Sequence, residues 1–296
     1  MSSPSSTTSS ATNTSAQLLK RLHIPGSPLV LTNIWDIPSF HAITSLNTPH
    51  SQPVIAIATA SFAAAAQLGI ADEDLTLEQN LSSVATLAPL CARANLPLTV
   101  DLQDGYGRDL EEAVTRAVKL GACGANVEDS IPSAGFARGF EGSLYPLQEQ
   151  VGRLKKVLDV AGEAGCPDFV LNARCDVFRL VTNPHRPEEL GDEVRMGEAV
   201  KRGKAYLDAG ATTVFFWGGG GRGLRTAEVE RLVRELGGRV AVKLADGEGA
   251  LTVDELAMIG VARVSLGPGL WSVAQDAVRE AASRILLGGG TLRDRN

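Results

Sequence analysis

A (β/α)8 TIM barrel is the fold class this sequence predicts, on three observations. Eight short apolar runs alternate with helical segments along the chain, the rhythm of a parallel sheet closed by crossover helices. At 296 residues and 44% hydrophobic, the chain can fill one large core. Three of the runs also stop abruptly in charge. Leu98, Thr99 and Val100 lead into Asp101, Gln103 and Asp104; Ala125 to Val127 lead into Glu128 and Asp129; Phe169 to Leu171 lead into Asn172, Arg174 and Asp176. A carboxylate leaving a hydrophobic strand must be solvated, paired or bound to a cation, so these ends predict one shared polar mouth.

Residues 1–14 are almost all Ser, Thr, Asn, Pro and Ala and read as a disordered tail, since they bury too little to offset their ordering entropy. Residues 15–296 read as a single barrel domain, entered by a short helix over 17–22. The first strand, 28–34, ends in Trp35 and Asp36 before a helix over 38–46. The second, 54–58, runs into Thr59-Ala60-Ser61 and an alanine-rich helix over 62–68. An acidic loop at Asp72, Glu73 and Asp74 precedes a helix over 77–94.

The third strand is 98–102, followed by an amphipathic helix over 109–120, and the fourth is 125–127. A long glycine-bearing connection over 130–145 then has the character of an active-site lid. Helix resumes over 146–161, the fifth strand is 168–172, and 184–192 is an exposed loop. A helix over 193–209 stops at Gly210. The sixth strand, 213–216, meets Trp217 and four glycines, 218–221, which match neither the GxxxxGK[ST] nor the GxGxxG order and read as a turn. A helix over 226–236, a seventh strand over 239–244, a helix over 253–259, an eighth strand over 263–266 and a final helix over 270–287 complete the count.

Composition excludes several classes of function. Net charge is −6, with no basic run beyond Lys155-Lys156 or Lys201-Arg202, so there is no electrostatic case for nucleic acid. No apolar stretch reaches the roughly 20 residues of a membrane helix, and no secretory leader is visible; the expectation is a cytoplasmic protein. Cys91, Cys123, Cys166 and Cys175 lack metal-ligand spacing, and His23, His41, His50 and His185 are too few and too scattered for a multi-histidine site. No GxSxG elbow is present.

In a barrel of this type chemistry sits at the C-terminal strand ends, which gathers Trp35, Asp36, Ser61, Asp101, Gln103, Glu128, Arg174, Asp176, Trp217 and Lys243. Asp101 and Glu128 end adjacent strands; either a divalent cation relieves their repulsion, with all-oxygen ligands favouring Mg2+ or Mn2+, or one pairs with Arg174. Asp72 and Asp104 are further carboxylates for metal-bound water. Arg174 is either an anchor for a substrate carboxylate or phosphonate or a clamp on Glu128 or Asp176. Lys243 binds an anion or pairs with Asp246, and Trp217 stacks on a ligand or closes the barrel top.

The ordered set NIWD (33–36), TAS (59–61), LGIAD (68–72), DLQDGYG (101–107), NVEDS (126–130), NARCD (172–176), YLDAGA (206–211) and GVARVSLGP (260–268) resembles the phosphoenolpyruvate mutase and isocitrate lyase superfamily. The resemblance implies a barrel whose C-terminal helix is exchanged between subunits of a homodimer or homotetramer. It implies Mg2+ held directly by Asp101 and mainly through water by Asp72 and Glu128. Arg174 would take a carboxylate of a small 2-oxo acid, with Trp35, Asp36 and Ser61 lining the pocket.

Departures from that pattern narrow the reaction. Gln103 stands where many members carry a second acid. The segment SIPSAGFARGFEGS (130–143) has neither Cys nor His, against ordinary isocitrate lyase chemistry, and its one cation, Arg138, is the candidate anion clamp. Trp217 replaces a mutase histidine. The reading is a Mg2+-dependent carbon-carbon lyase or hydrolase acting on a small 2-oxo or 2-hydroxy dicarboxylate through an enolate, with Tyr106, Glu128 or a metal-bound water as base. The alternatives are a phosphonopyruvate hydrolase or mutase, and a barrel that binds a metabolite without turnover.

Overall fold

In the computed structural model, which describes residues 10–182, 187–218 and 223–292, eight parallel strands close into a barrel in sequence order. They are β1 (Leu29–Ile34), β2 (Ile57–Thr59), β3 (Leu98–Asp101), β4 (Gly124–Glu128), β5 (Val170–Cys175), β6 (Thr213–Phe216), β7 (Val240–Lys243) and β8 (Arg263–Ser265). Closure is made by β1 on β8, with Leu29 opposite Arg263 and Leu31 opposite Ser265. Between the strands run α2 (Ile37–Thr44), α3 (Ser61–Leu68), α4 (Leu77–Arg93), α5 (Leu110–Leu120), α6 (Gly139–Ser143), α7 (Leu147–Glu163), α8 (Asp192–Asp208), α9 (Thr226–Glu235) and α10 (Val253–Ile259), and α11 (Gly269–Leu286) follows the last strand. One continuous core joins the strands to the helices packed around them.

The leading helix α1 (Ala11–Arg21) starts earlier than the composition predicts. Ala11 to Thr14, expected within the tail, are helical because Ser10 caps the helix by accepting from the Asn13 N–H at 3.1 Å. The helix is held to the loop before β5, where Asn13 Nδ2 and Gln17 Nε2 donate to Asp168 Oδ2 at 3.1 and 2.8 Å. Those bonds, Gln17 first, hold the Asp168 carboxyl below its usual range.

Two strands differ from expectation for local reasons. Residues 54–56 read as strand, yet Asn47 takes the backbone of Val54 on both sides, donating to its carbonyl at 2.8 Å and accepting its N–H at 2.9 Å; β2 begins only at Ile57. The fifth strand runs on past Asn172 to Cys175 because its polar residues are paired inside the barrel. Asn172 Nδ2 donates to Asn126 Oδ1 at 2.8 Å and accepts from Thr213 Oγ1 at 2.7 Å. An apolar-run criterion ends a strand at its first polar residue, and a paired barrel interior does not.

At Gly124, β4 lies too close to its neighbours for a side chain. A Cβ there would lie 2.6 Å from the Val170 carbonyl oxygen and 3.2 Å from Leu19 Cδ2. Gly124→Ala is therefore expected to cost about 1–3 kcal/mol through overpacking, read as a lower urea midpoint; an unchanged midpoint would show that β4 and α1 separate freely.

Candidate active site

The C-terminal strand ends surround a cavity of about 310 Å3. Ser61, Asp72, Asp101, Arg174, Trp217 and Lys243 all line it, so six of the expected site residues meet at one mouth. Asp101 ends β3 with its backbone N–H bonded to Thr59 Oγ1 at 3.0 Å, and its Oδ2 accepts from the Ser61 N–H at 3.2 Å and the Ser61 hydroxyl at 3.1 Å. Gln103 Nε2 donates to the Asp72 carbonyl oxygen at 2.5 Å and to Asp72 Oδ1 at 3.1 Å. Burial and then the neighbouring Asp101 charge push the Asp72 carboxyl above its usual range. Gln103 and Tyr106 reach these positions in the left-handed backbone region, at φ 52° and 61°.

Arg174 and Glu128 face each other across the β4–β5 register. Arg174 Nη1 lies 2.6 Å from Glu128 Oε2 and Nε lies 2.9 Å from Asp176 Oδ1, while the buried Nη2 has no hydrogen-bond partner among the described residues. One guanidinium thus serves two buried carboxyl groups. The Ser130 hydroxyl sits 2.8 Å from Glu128 Oε1 and 2.8 Å from Asp176 Oδ2, and with one proton it can donate to only one of them. A hydrogen bond to the other as well needs a proton on that carboxyl. Burial, partly offset by Arg174, lifts Glu128 to about 8, which favours Glu128 over Asp176 as the holder of that proton.

A stability signature follows from this proton. The folded chain holds it between the ordinary glutamate value of 4.5 and about 8, so the stability contributed below the unfolded value is lost as pH rises through the folded one. Glu128→Gln carries no such proton and is expected to flatten the fall in urea midpoint between pH 5 and 8. A variant whose midpoints track those of the parent across that range would refute the assignment.

Other expected site residues lie elsewhere. Asp36 caps α2, with Oδ1 accepting the Ser39 N–H at 2.7 Å, and with Trp35 it opens on a separate groove against α3 and α4. Arg138 is exposed on the flap over 130–145 and is not part of the cavity wall. The flap is folded: Ser130 bridges to Leu144, and the Ile131 N–H donates to the Ser143 carbonyl at 2.9 Å. Asp104 is spent on a turn, accepting the Tyr106 and Gly107 N–H groups at 2.9 and 3.1 Å and the Tyr145 hydroxyl at 2.7 Å. Burial pushes the Tyr106 phenol up, and its oxygen accepts from Asn80 Nδ2 at 2.7 Å, which suits a turn anchor better than a base. His185 and residues 219–221 of the glycine run lie outside the described residues.

Arg179 is among the cavity residues that sequence reasoning missed. It follows Asp176 on a single 3-10 turn, Val177–Arg179, and a second cation five positions beyond Arg174 was the available signal. Among the described residues no three His, Cys, Asp or Glu side chains gather as a metal cage. Glu128 is turned to Arg174, which leaves Asp72, Glu73 and Asp101 as the carboxylates on the cavity wall, with Asp101 and Asp72 near enough for their charges to interact. That pair fits a hard cation which keeps several waters and takes only one or two protein carboxylates, and their mutual repulsion is the charge such an ion relieves. No helix among the described residues is long and apolar enough to cross a membrane.

The family model for phosphoenolpyruvate phosphomutase matches residues 19–286. A Burkholderia cenocepacia J2315 structure, provisionally described as a phosphonomutase, superposes with a TM-score of 0.76 at 30% identity, covering 94% of this chain and 100% of that one. An uncharacterized Mycobacterium tuberculosis protein is 28% identical over 265 residues, 89% of this chain and 87% of its own. An oxaloacetate decarboxylase of Rhodopseudomonas palustris is 27% identical over 160 residues, 53% of this chain and 49% of its own.

Proposed function

This chain belongs to the phosphoenolpyruvate phosphomutase family, and from that premise we propose a Mg2+-dependent carbon-carbon lyase or hydrolase acting on a small 2-oxo or 2-hydroxy dicarboxylate. Arg174 carries the reading. It is a buried guanidinium with one nitrogen unspent, on the wall of the cavity that Asp101 and Asp72 also line. Such a rigid fork is suited to a substrate carboxylate, and the two acids beside it would hold Mg2+, or Mn2+ in its place. When bound, the ion supplies a Lewis acid for negative charge developing on the substrate.

The chain's own residues divide the remaining work. Ser61 fixes Asp101 and Gln103 fixes Asp72, so the carboxylates keep their orientation without further ordering. Arg174 anchors one end of the acid, and Glu128 holds a proton behind it, within reach of Ser130. The name oxaloacetate decarboxylase borne by partial relatives supports a 2-oxo diacid. Assembly as a homodimer or homotetramer is part of the proposal: α11 buries none of its own residues, with Val273 and Val278 63% and 65% exposed. Light scattering should give a mass of two or four chains, and a monomer would refute the assembly.

The test is release of pyruvate or another 2-oxo acid from oxaloacetate, 2-methylmalate-like acids, isocitrate-like acids and phosphonopyruvate, with Mg2+ present and Asp101→Ala as control. Release from a carbon-only acid that vanishes in the variant supports the proposal. Release from phosphonopyruvate alone replaces it with carbon-phosphorus chemistry, and oxalate binding without turnover on any acid replaces it with a binding barrel.

A further inference from the structure

Three cations line the mouth, and only one is committed to the chemistry above. Lys243 Nζ donates back to the Leu244 carbonyl at 3.2 Å. Arg179 is placed differently. Its guanidinium carbon sits 4.0 Å from the Phe136 ring centroid and 4.6 Å from that of Trp217, held between a flap residue and the end of β6. The flap is tied to the same turn, because the Val181 N–H donates to the Phe136 carbonyl at 2.7 Å. The Arg179 guanidinium makes no hydrogen bond or ion pair to a described residue, and burial pulls its ionisation below the usual arginine range. Aromatic plates satisfy the faces of a guanidinium and leave its N–H edge free.

Arg174 approaches the same Trp217 ring, 5.4 Å from its centroid. Both forks therefore lie against one indole, within the span of a four-carbon diacid and its hydrogen bonds. We infer that Arg179 is a specificity-determining residue that binds the second carboxylate of the substrate, while Arg174 binds the carboxylate next to the 2-oxo or 2-hydroxy carbon. This rests on the proposed diacid reading and deepens it: the mouth selects diacids over monoacids through an arginine preset by Phe136 and Trp217. In the free protein that fork is ordered before substrate arrives, so its donors cost little conformational entropy to use.

The experiment is calorimetric titration of the full chain with Mg2+ against oxalate, malate and lactate. Malate and lactate share the 2-hydroxy acid end and differ in the distal carboxylate, and oxalate is too short to span both arginines. The parent should bind malate tighter than lactate. Arg179→Met should weaken malate by about 10- to 100-fold, the range of a charge-assisted pair, while oxalate stays within twofold and thereby reports an intact fold. Phe136→Ala, which keeps the charge and removes one plate, should give an intermediate loss for malate alone.

Equal weakening of oxalate and malate in Arg179→Met would overturn the inference, since the residue would then act on the site as a whole. So would an unchanged malate affinity. A parent that binds oxalate but takes malate no tighter than lactate refutes the role of Arg179 and leaves the metal-and-Arg174 reading standing. A parent that binds none of the three refutes both.

Discussion

Arg174→Met is expected to abolish acid binding and to lower kcat/KM on whichever substrate is turned over by about 10²- to 10³-fold or more, together with a loss of about 3–5 kcal/mol of stability. The two effects share one cause. Arg174 is the cation between Glu128 and Asp176, at 2.6 and 2.9 Å, and Asp176 is wholly buried. Removing it strands a buried carboxylate and takes away the free Nη2 offered to substrate. Arg174→Lys separates the contributions, because a single ammonium can restore charge but not the three-way fork. Urea unfolding and steady-state kinetics on both variants provide the check; a methionine variant as stable as the parent and still saturable by oxalate would show that Arg174 is neither clamp nor anchor.

For Asp101→Ala the expected pattern is the opposite: turnover falls about 10³-fold or more and the Mg2+-dependent heat of oxalate binding disappears, while thermal stability barely moves. Burial and, after it, the Asp101 charge raise Asp72, so removing Asp101 relieves a like-charge contact even as the Ser61 N–H and hydroxyl lose their acceptor. These oppose each other. In the parent, EDTA followed by gel filtration should reproduce the variant, and Mg2+ or Mn2+ should restore the parent alone. A variant that still saturates with Mg2+ would move the ion to other ligands.

The barrel was legible because its rhythm is written in apolar runs, and the mouth because Asp101, Arg174 and Lys243 each stand at the end of one. Ser61 was legible at the end of the second run and Asp72 as a carboxylate of the acidic loop. What stayed hidden was decided by tertiary packing. The groove holding Trp35 and Asp36 depends on how α2 meets α3 and α4, and the exposure of Arg138 depends on how the flap folds back on Leu144. Arg179 is one 3-10 turn past a motif, and only tertiary packing shows that two aromatic rings hold it at the cavity. The polar barrel interior was equally opaque. Fully buried Arg263, pulled down to about 9 by burial, reaches Asn126 Oδ1 at 3.1 Å across 137 positions of sequence.

Gln103 and Tyr106 hold left-handed backbone angles that glycine adopts freely and that cost other residues about 1–2 kcal/mol each. Gln103 uses that geometry to fix Asp72, and Tyr106 to meet Asn80. At Gln103 the strain is set against the orientation of Asp72, and at Tyr106 against a turn anchored on Asn80. Under selection for heat resistance alone, glycine at 103 is an easy gain, and the survivors should melt later while needing more Mg2+ to reach half-maximal activity. Under selection for growth on the substrate, the strained side chains should return. The tight turn after β3 thus sets backbone strain against the orientation of a carboxylate on the cavity wall.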